Sequence, residues 1–220
     1  MKIIKLLVLT CLIVLPMFSQ QTVTTEDGKK VLLKSDGTWQ YIKPEISKDT
    51  TKSFDFRKAK WGMSKKDIKK TEKAKVVRDD NEVLAYDDKV SGMDVLIGYI
   101  FINDKLVRSK YVFLNKHTNK NDYISDFGTI KSSIIQKYGE PKEDEKYWNN
   151  DLYKNDYDDW GFAISLGHLS YYTVWETPIT KIVLQLTGDN YKIDFGVQYG
   201  SVLLKTLEEE KVKEKKLDEF

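Results

Sequence analysis

The stretch Asp126-Phe127-Gly128-Thr129-Ile130-Lys131-Ser132-Ser133-Ile134-Ile135-Gln136-Lys137-Tyr138-Gly139-Glu140-Pro141 decides the fold. Phe127, Ile130, Ile134, Ile135 and Tyr138 recur at helical spacing along one face. Gly139 stands where a C-terminal cap belongs, and Pro141 follows, where a helix cannot continue. Beyond a polar, aromatic loop come β-prone runs at 162–166, 171–175, 181–186 and 191–199, the last two joined by a Gly188-Asp189-Asn190 turn. A helix followed by several strands, rather than single alternation, indicates an α+β fold: antiparallel sheet with helices packed on one face.

The same order occurs earlier in the chain. Ser64-Lys65-Lys66-Asp67 reads as a capping box opening a short helix whose apolar positions are Met63, Ile68 and Ala74. Strands are expected at 83–86, 95–102 and 106–114, with Asn103-Asp104-Lys105 turning between the last two. Residues 54–202 therefore read as an α+β domain that runs twice through one plan, with sub-repeats 54–116 and 121–200. Whether the two passes share one sheet is left open. Residues 203–220 read as a charged C-terminal helix with Leu203, Leu204, Leu207 and Val212 as its apolar stripe.

Ahead of the domain, residues 21–43 read as a small β-hairpin or meander element. Two Asp-Gly pairs, Asp27-Gly28 and Asp36-Gly37, separate its β-prone runs, because glycine takes the positive φ of tight turns. Residues 44–53 read as a linker. Residues 1–20 have the layout of a secretory signal peptide: Lys2 and Lys5, an apolar run, then Pro16 and polar Ser19-Gln20. The apolar run from 6 to 18 is short of the ~20 residues of a membrane span, so cleavage and no stable span afterwards are expected. Cys11 would leave with the signal, and with it any disulfide, thiol nucleophile or thiolate metal site. The expected location is periplasmic or extracellular.

Composition narrows the function classes. The chain has 220 residues with 36 Lys+Arg against 34 Asp+Glu, and removal of Lys2 and Lys5 leaves a formal balance of 34 to 34. A neutral chain lacks the basic footprint of a nucleic-acid binder. Hydrophobic content of 40% with 12% aromatics is too rich for disorder. The densest basic run (Lys65, Lys66, Lys69, Lys70, Lys73, Lys75) is followed by Asp79, Asp80, Glu82, Asp87 and Asp88, as on a solvated helix face.

Catalytic and metal signals are thin. Ala163-Ile164-Ser165-Leu166-Gly167 fits a variant nucleophile elbow, yet no histidine follows His168 and the sequence reads as a strand ending at a glycine turn. His117 and His168 lack a carboxylate at metal-ligand spacing. The loop from Asp156 resembles a calcium loop at its third position (Asp158) and sixth (Gly161), but Trp160 and Gly167 fall where oxygen ligands are required. No catalytic residue, metal or cofactor is assigned.

The aromatic density from Tyr147 to Trp175 is the most informative feature. Trp148, Tyr153, Tyr157 and Trp160, interleaved with Asn149, Asn150, Asp151 and Asn155, are the candidate partner-binding residues. Tyr and Trp combine large contact area with a polar handle suited to a protein or a sugar. The leading expectation is a non-enzymatic exported binding protein that recognises an envelope protein or glycan through this loop and a sheet face. The alternatives are a cell-envelope hydrolase using paired carboxylates among Glu140, Asp156, Asp158 and Asp159, roughly 5–10 Å apart, and a purely structural module.

Gly62-Met63-Ser64-Lys65-Lys66-Asp67-Ile68 resembles the Gly-Met-Thr-x-x-(acidic or Gln)-Val opening of small envelope domains of the SmpA/OmlA type. Lys137-Tyr138-Gly139-Glu140-Pro141 resembles the Leu-Gly-x-Pro that closes the helical segment of that family. The resemblance implies a helical start packed on a three-stranded antiparallel sheet, an arrangement shared by proteinaceous β-lactamase inhibitors, and a protein that binds other proteins through a sheet face. The first pass lacks Gly-x-Pro after Thr71 and the second opens with Asp126-Phe127-Gly128-Thr129, so no binding residue is carried over. The Asp36-Gly37-Thr38-Trp39 hairpin resembles an N-terminal module of exported bacterial proteins.

Overall fold

A computed structural model describes residues 21–24, 30–34, 36–41 and 54–217. The expected signal at 1–20 and linker at 44–53 lie outside these residues. Contacts divide the chain into two units, residues 1–52 and 53–220. In the first, β1 (Gln21–Thr24), β2 (Lys30–Leu33) and β3 (Trp39–Tyr41) form a three-stranded antiparallel meander. The Asp36-Gly37 turn closes as expected: Gly37 has φ +82°, and the Thr38 amide donates to Asp36 Oδ1 at 2.9 Å.

The second unit is α+β. Its elements run α1 (Lys65–Thr71), β4 (Lys75–Asp79), β5 (Val83–Val90), β6 (Met93–Ile102) and β7 (Lys105–Phe113), then α2 (Asp122–Tyr138), β8 (Glu143–Trp148), α3 (Trp160–Ser165), β9 (Leu169–Glu176), β10 (Thr180–Asp189), β11 (Lys192–Ser201) and α4 (Lys205–Leu217). All eight strands form one antiparallel sheet ordered β4-β5-β6-β7-β11-β10-β9-β8. Each pass is a helix followed by a four-strand meander. The final strands of the two passes pair at the centre, where Tyr111 lies opposite Val197.

Strand alternation sorts the residues onto two faces. Ile97, Tyr99, Leu184, Val197 and Trp175 point toward α1–α3 and are buried. In the second pass Phe127, Ile130 and Ile134 of α2 close this face; each such side chain contributes roughly 1.5–3 kcal/mol by leaving water. In the first pass α1 is only seven residues long and supplies Ile68 alone as a fully buried anchor. The preceding hairpin makes up the difference. Phe56 bridges to Ala59, and its ring lies 4.9–5.5 Å from Tyr99, Tyr111 and Tyr199.

Helix α4 lies on the opposite side, against β6. Leu204, Leu207, Glu208 and Lys211 form its half-buried stripe. Arg108, on the β7 face turned away from the core, makes a two-pronged ion pair with Glu208 at 3.0 and 2.7 Å. No helix among the described residues is long and apolar enough to cross a membrane.

Three local expectations change. Residues 162–165, expected with 166 as a strand, belong to helix α3, and Leu166 is its C-cap. Tyr147 and Trp148 end the edge strand β8 instead of lying in a loop. Strands β4 and β8, one extra per pass, add the fourth member of each meander.

Candidate functional site

The two passes differ most in one connection. Strands β4 and β5 are joined by residues 80–82, whereas β8 and β9 are joined by residues 149–168. The short version is a turn in which Asp80 Oδ1 accepts from the amides of Glu82 and Val83. A connection of twenty residues is long for a compact domain, and such segments usually carry function.

This insertion is pinned at both ends. The Asn149 and Asn150 amides donate to His168 O, and Asn149 Nδ2 donates to Gly167 O at 3.0 Å. Asp156 caps a single 3-10 turn over Tyr157–Asp159, accepting from the Asp158 amide at 3.2 Å. That role occupies the carboxylate which opened the sequence-level calcium reading. Helix α3 ends in a Schellman cap: the His168 amide donates to Ala163 O, the Gly167 amide to Ile164 O, and Gly167 takes φ +77°. The glycine that looked like a strand-ending turn is a helix stop.

Two anchors hold the insertion on the domain. Asn121, just before α2, accepts from the Gly161 amide at 2.6 Å and donates to Tyr157 O at 2.9 Å. A Cβ on Gly161 would lie 2.2 Å from the Lys120 backbone, so only glycine allows this approach. Inward, Ala163, Ile164 and Ser165 are fully buried under β9 and β10, and Ser165 Oγ donates to Phe162 O at 2.7 Å. That buried hydroxyl has no histidine or acid partner and forms no nucleophile elbow.

The outer surface is aromatic and acidic. Trp148 and Trp160 meet edge-on at 5.6 Å, and Tyr157 lies 5.0 Å from Trp160. Lys146 Nζ sits 4.8 Å above the Trp160 ring and 5.3 Å from Tyr171, both cation–π distances. Burial, with a smaller contribution from Tyr157, raises the Tyr171 hydroxyl above its ordinary range. Tyr153 belongs to a second group, 5.7 Å from Phe162 and stacked at 5.9 Å on His168, whose buried Nδ1 has no hydrogen-bond partner among the described residues. Of the four sequence-level candidates, Trp148, Tyr153 and Trp160 are half-buried and pack against the core, while Tyr157 is 57% exposed. Leu152 (70% exposed), Phe162 (37%) and Tyr191 (67%) extend the surface. Tyr191 arrives from the β10–β11 turn, where it takes φ +63° and its amide donates to Ser165 O. Its one sequence signal was a bulky ring directly after the Asp189-Asn190 turn.

Of the carboxylates in the hydrolase alternative, Glu140 stands apart from the other three. Asp156, Asp158 and Asp159 lie beside the N-terminus of α2, whereas Glu140 follows its C-terminus. Seventeen helical residues, about 25 Å, separate them. Among the described residues no three His, Cys, Asp or Glu side chains are placed to hold a metal ion. His117 pairs instead with Asp126 at 2.6 Å.

A second polar cluster lies under α1. Arg57, held at φ +51°, grips Glu72 with two nitrogens (2.9 and 3.2 Å) and Asp88 with one (2.8 Å), and the Tyr99 hydroxyl donates to Glu72. Burial and the Glu72 carboxylate raise Tyr99, and burial pushes Tyr111 up to about 12. A cavity of about 530 Å³ opens beside Arg57, Glu72 and Asp88. Both Glu72 oxygens are already engaged, so this cluster ties the 56–59 hairpin to the sheet rather than offering a free reactive group.

No family model, curated protein or solved structure matches the chain.

Proposed function

We propose that this chain is an exported, non-enzymatic interaction protein that recognises a protein or glycan partner of the cell envelope through the 149–168 insertion and the adjoining sheet face. Export rests on the charged, apolar and polar layout of residues 1–20. One observation carries the recognition reading. Where the first pass needs three residues to turn, the second spends twenty, and it uses them to present Leu152, Tyr157 and Phe162 to solvent on a pinned frame. Exposed aromatic groups on a rigid scaffold lose little entropy on binding.

The test is capture from envelope extract by the tagged full chain, read by mass spectrometry. The Leu152→Ser/Tyr157→Ser double variant should keep its melting temperature and lose the captured partner. Trp148 and Trp160 are poorer probes, because truncating them also opens the core edge. Equal capture by wild type and the double variant rules the insertion out as the binding surface.

A further inference from the structure

The two outer edges of the sheet are built differently. Strand β4 carries a bulge between Val76 and Arg78, and two of its charges are paired locally: Asp79 with Lys69, and Arg78 with Asp80 at 2.5 Å. Bulges and edge charges of this kind discourage further strand pairing. Strand β8 pairs with β9 in unbroken register from Glu143↔Val174 to Trp148↔Leu169, and among the described residues nothing pairs with its other side. A straight edge of six residues leaves a row of backbone donors and acceptors open to an added strand.

Charge then selects what can be added. Residues 143–160, the edge and the first part of the insertion, hold seven acids against two lysines, a net of −5 on a domain that is close to neutral overall. On the opposite edge, residues 73–79 hold three basic side chains against one acid. Glu143 and Glu145 project from the sheet face opposite α1–α3 and are exposed, with no ion pair among the described residues. The strand ends at Tyr147 and Trp148, beside the ring of Trp160, which already accepts the ammonium group of Lys146.

We infer that β8 is a docking edge for an extended, lysine- or arginine-bearing segment of a partner protein. The segment adds as a ninth antiparallel strand. Its main chain pairs with β8, its basic side chains alternate onto Glu143 and Glu145, and its end reaches the rings at Tyr157 and Trp160. The acidic edge gives polarity to the choice, since neutral or acidic strands meet uncompensated carboxylates. The inference rests on the proposed function and names the partner's chemistry as a basic peptide rather than a sugar.

The experiment measures fluorescence anisotropy of labelled peptides with the full chain. The probes are a short peptide alternating lysine and threonine, its glutamate counterpart, and the lysine peptide N-methylated on alternate amides along one edge. The lysine peptide should bind with an affinity that falls steeply with salt. N-methylation, and separately the Glu143→Lys/Glu145→Lys variant, should each weaken it at least about tenfold, with the far-ultraviolet spectrum of the variant unchanged. Equal binding of the N-methylated peptide overturns strand addition, and equal binding of the glutamate peptide overturns the charge selection. If no peptide binds while extract capture still depends on Leu152 and Tyr157, the docking edge is wrong and the insertion reading survives. If that capture is also indifferent to Leu152 and Tyr157, both fall.

Discussion

The first and second passes of the sheet domain reach the same four-strand meander by unequal means. The second has a helix of seventeen residues that closes its face of the sheet with Phe127, Ile130 and Ile134. The first has a helix of seven residues and borrows Phe56 and Ala59 from the preceding hairpin. The passes also spend their loops differently, three residues against twenty at the equivalent connection. A repeat can thus diverge in either half of its plan, provided the sheet face stays covered. The pass with the self-sufficient helix is the one that carries the elaborated loop.

The sharpest way to break this comparison is to remove the borrowed piece. Phe56 is 2% exposed and touches three tyrosines at the seam between the passes. Phe56→Ala should cost about 3–5 kcal/mol in urea unfolding, within the range for a buried aromatic truncated in a core. If Phe56 were a peripheral strap, the loss would stay below about 1 kcal/mol and the α1 face would be closed by other groups.

The second contrast lies inside the insertion, between its anchor and its display surface. Ile164 is fully buried, whereas Leu152 is 70% exposed. Ile164→Ala should destabilise by about 2–4 kcal/mol, and Leu152→Ser should stay within about 0.5 kcal/mol. Thermal unfolding of both variants checks the pair. Similar losses at the two sites would mean that the insertion is core throughout and presents no independent surface.

The two-pass plan was legible because its signals are local. The α2 periodicity, its Gly139 stop and the Ser64 capping box all act within a few residues, and the Ser64–Asp67 reciprocal contacts form as the spacing implies. The edge strands were not legible. Glu143-Asp144-Glu145-Lys146 has no β-propensity of its own and becomes a strand only because β9 offers a ladder. Residues 160–165 carry bulky groups that suit a strand, yet a glycine approach to Lys120 and a capped turn make them helical. Of the candidate surface, Trp148, Tyr157 and Trp160 were visible as aromatic density and do come together. Leu152 adds nothing to the aromatic pattern that marks its neighbours, and Tyr191 lies well beyond them in the chain and is brought in by the β10–β11 turn.

The smallest effect is absent at neutral pH and separates the passes chemically. The seam and the first pass are lined by tyrosines: Tyr86, Tyr99, Tyr111 and Tyr199 are all raised, chiefly by burial. For Tyr111 the folded value is about 12, against an ordinary value of 10.0. Between these two values the unfolded chain gives up the phenolic proton and the folded chain keeps it. The contribution is therefore complete below about pH 10 and lost as pH rises toward 12. Urea midpoints should fall between pH 9 and pH 11.5, and Tyr111→Phe should fall less steeply than wild type over that interval, whatever its stability at pH 7. The second-pass core offers Tyr171 as its raised counterpart, so amide exchange at alkaline pH should open β5–β7 before β9 and β10. Opening in the reverse order would place the weaker half of the domain under α2, against the division of labour argued from Phe56.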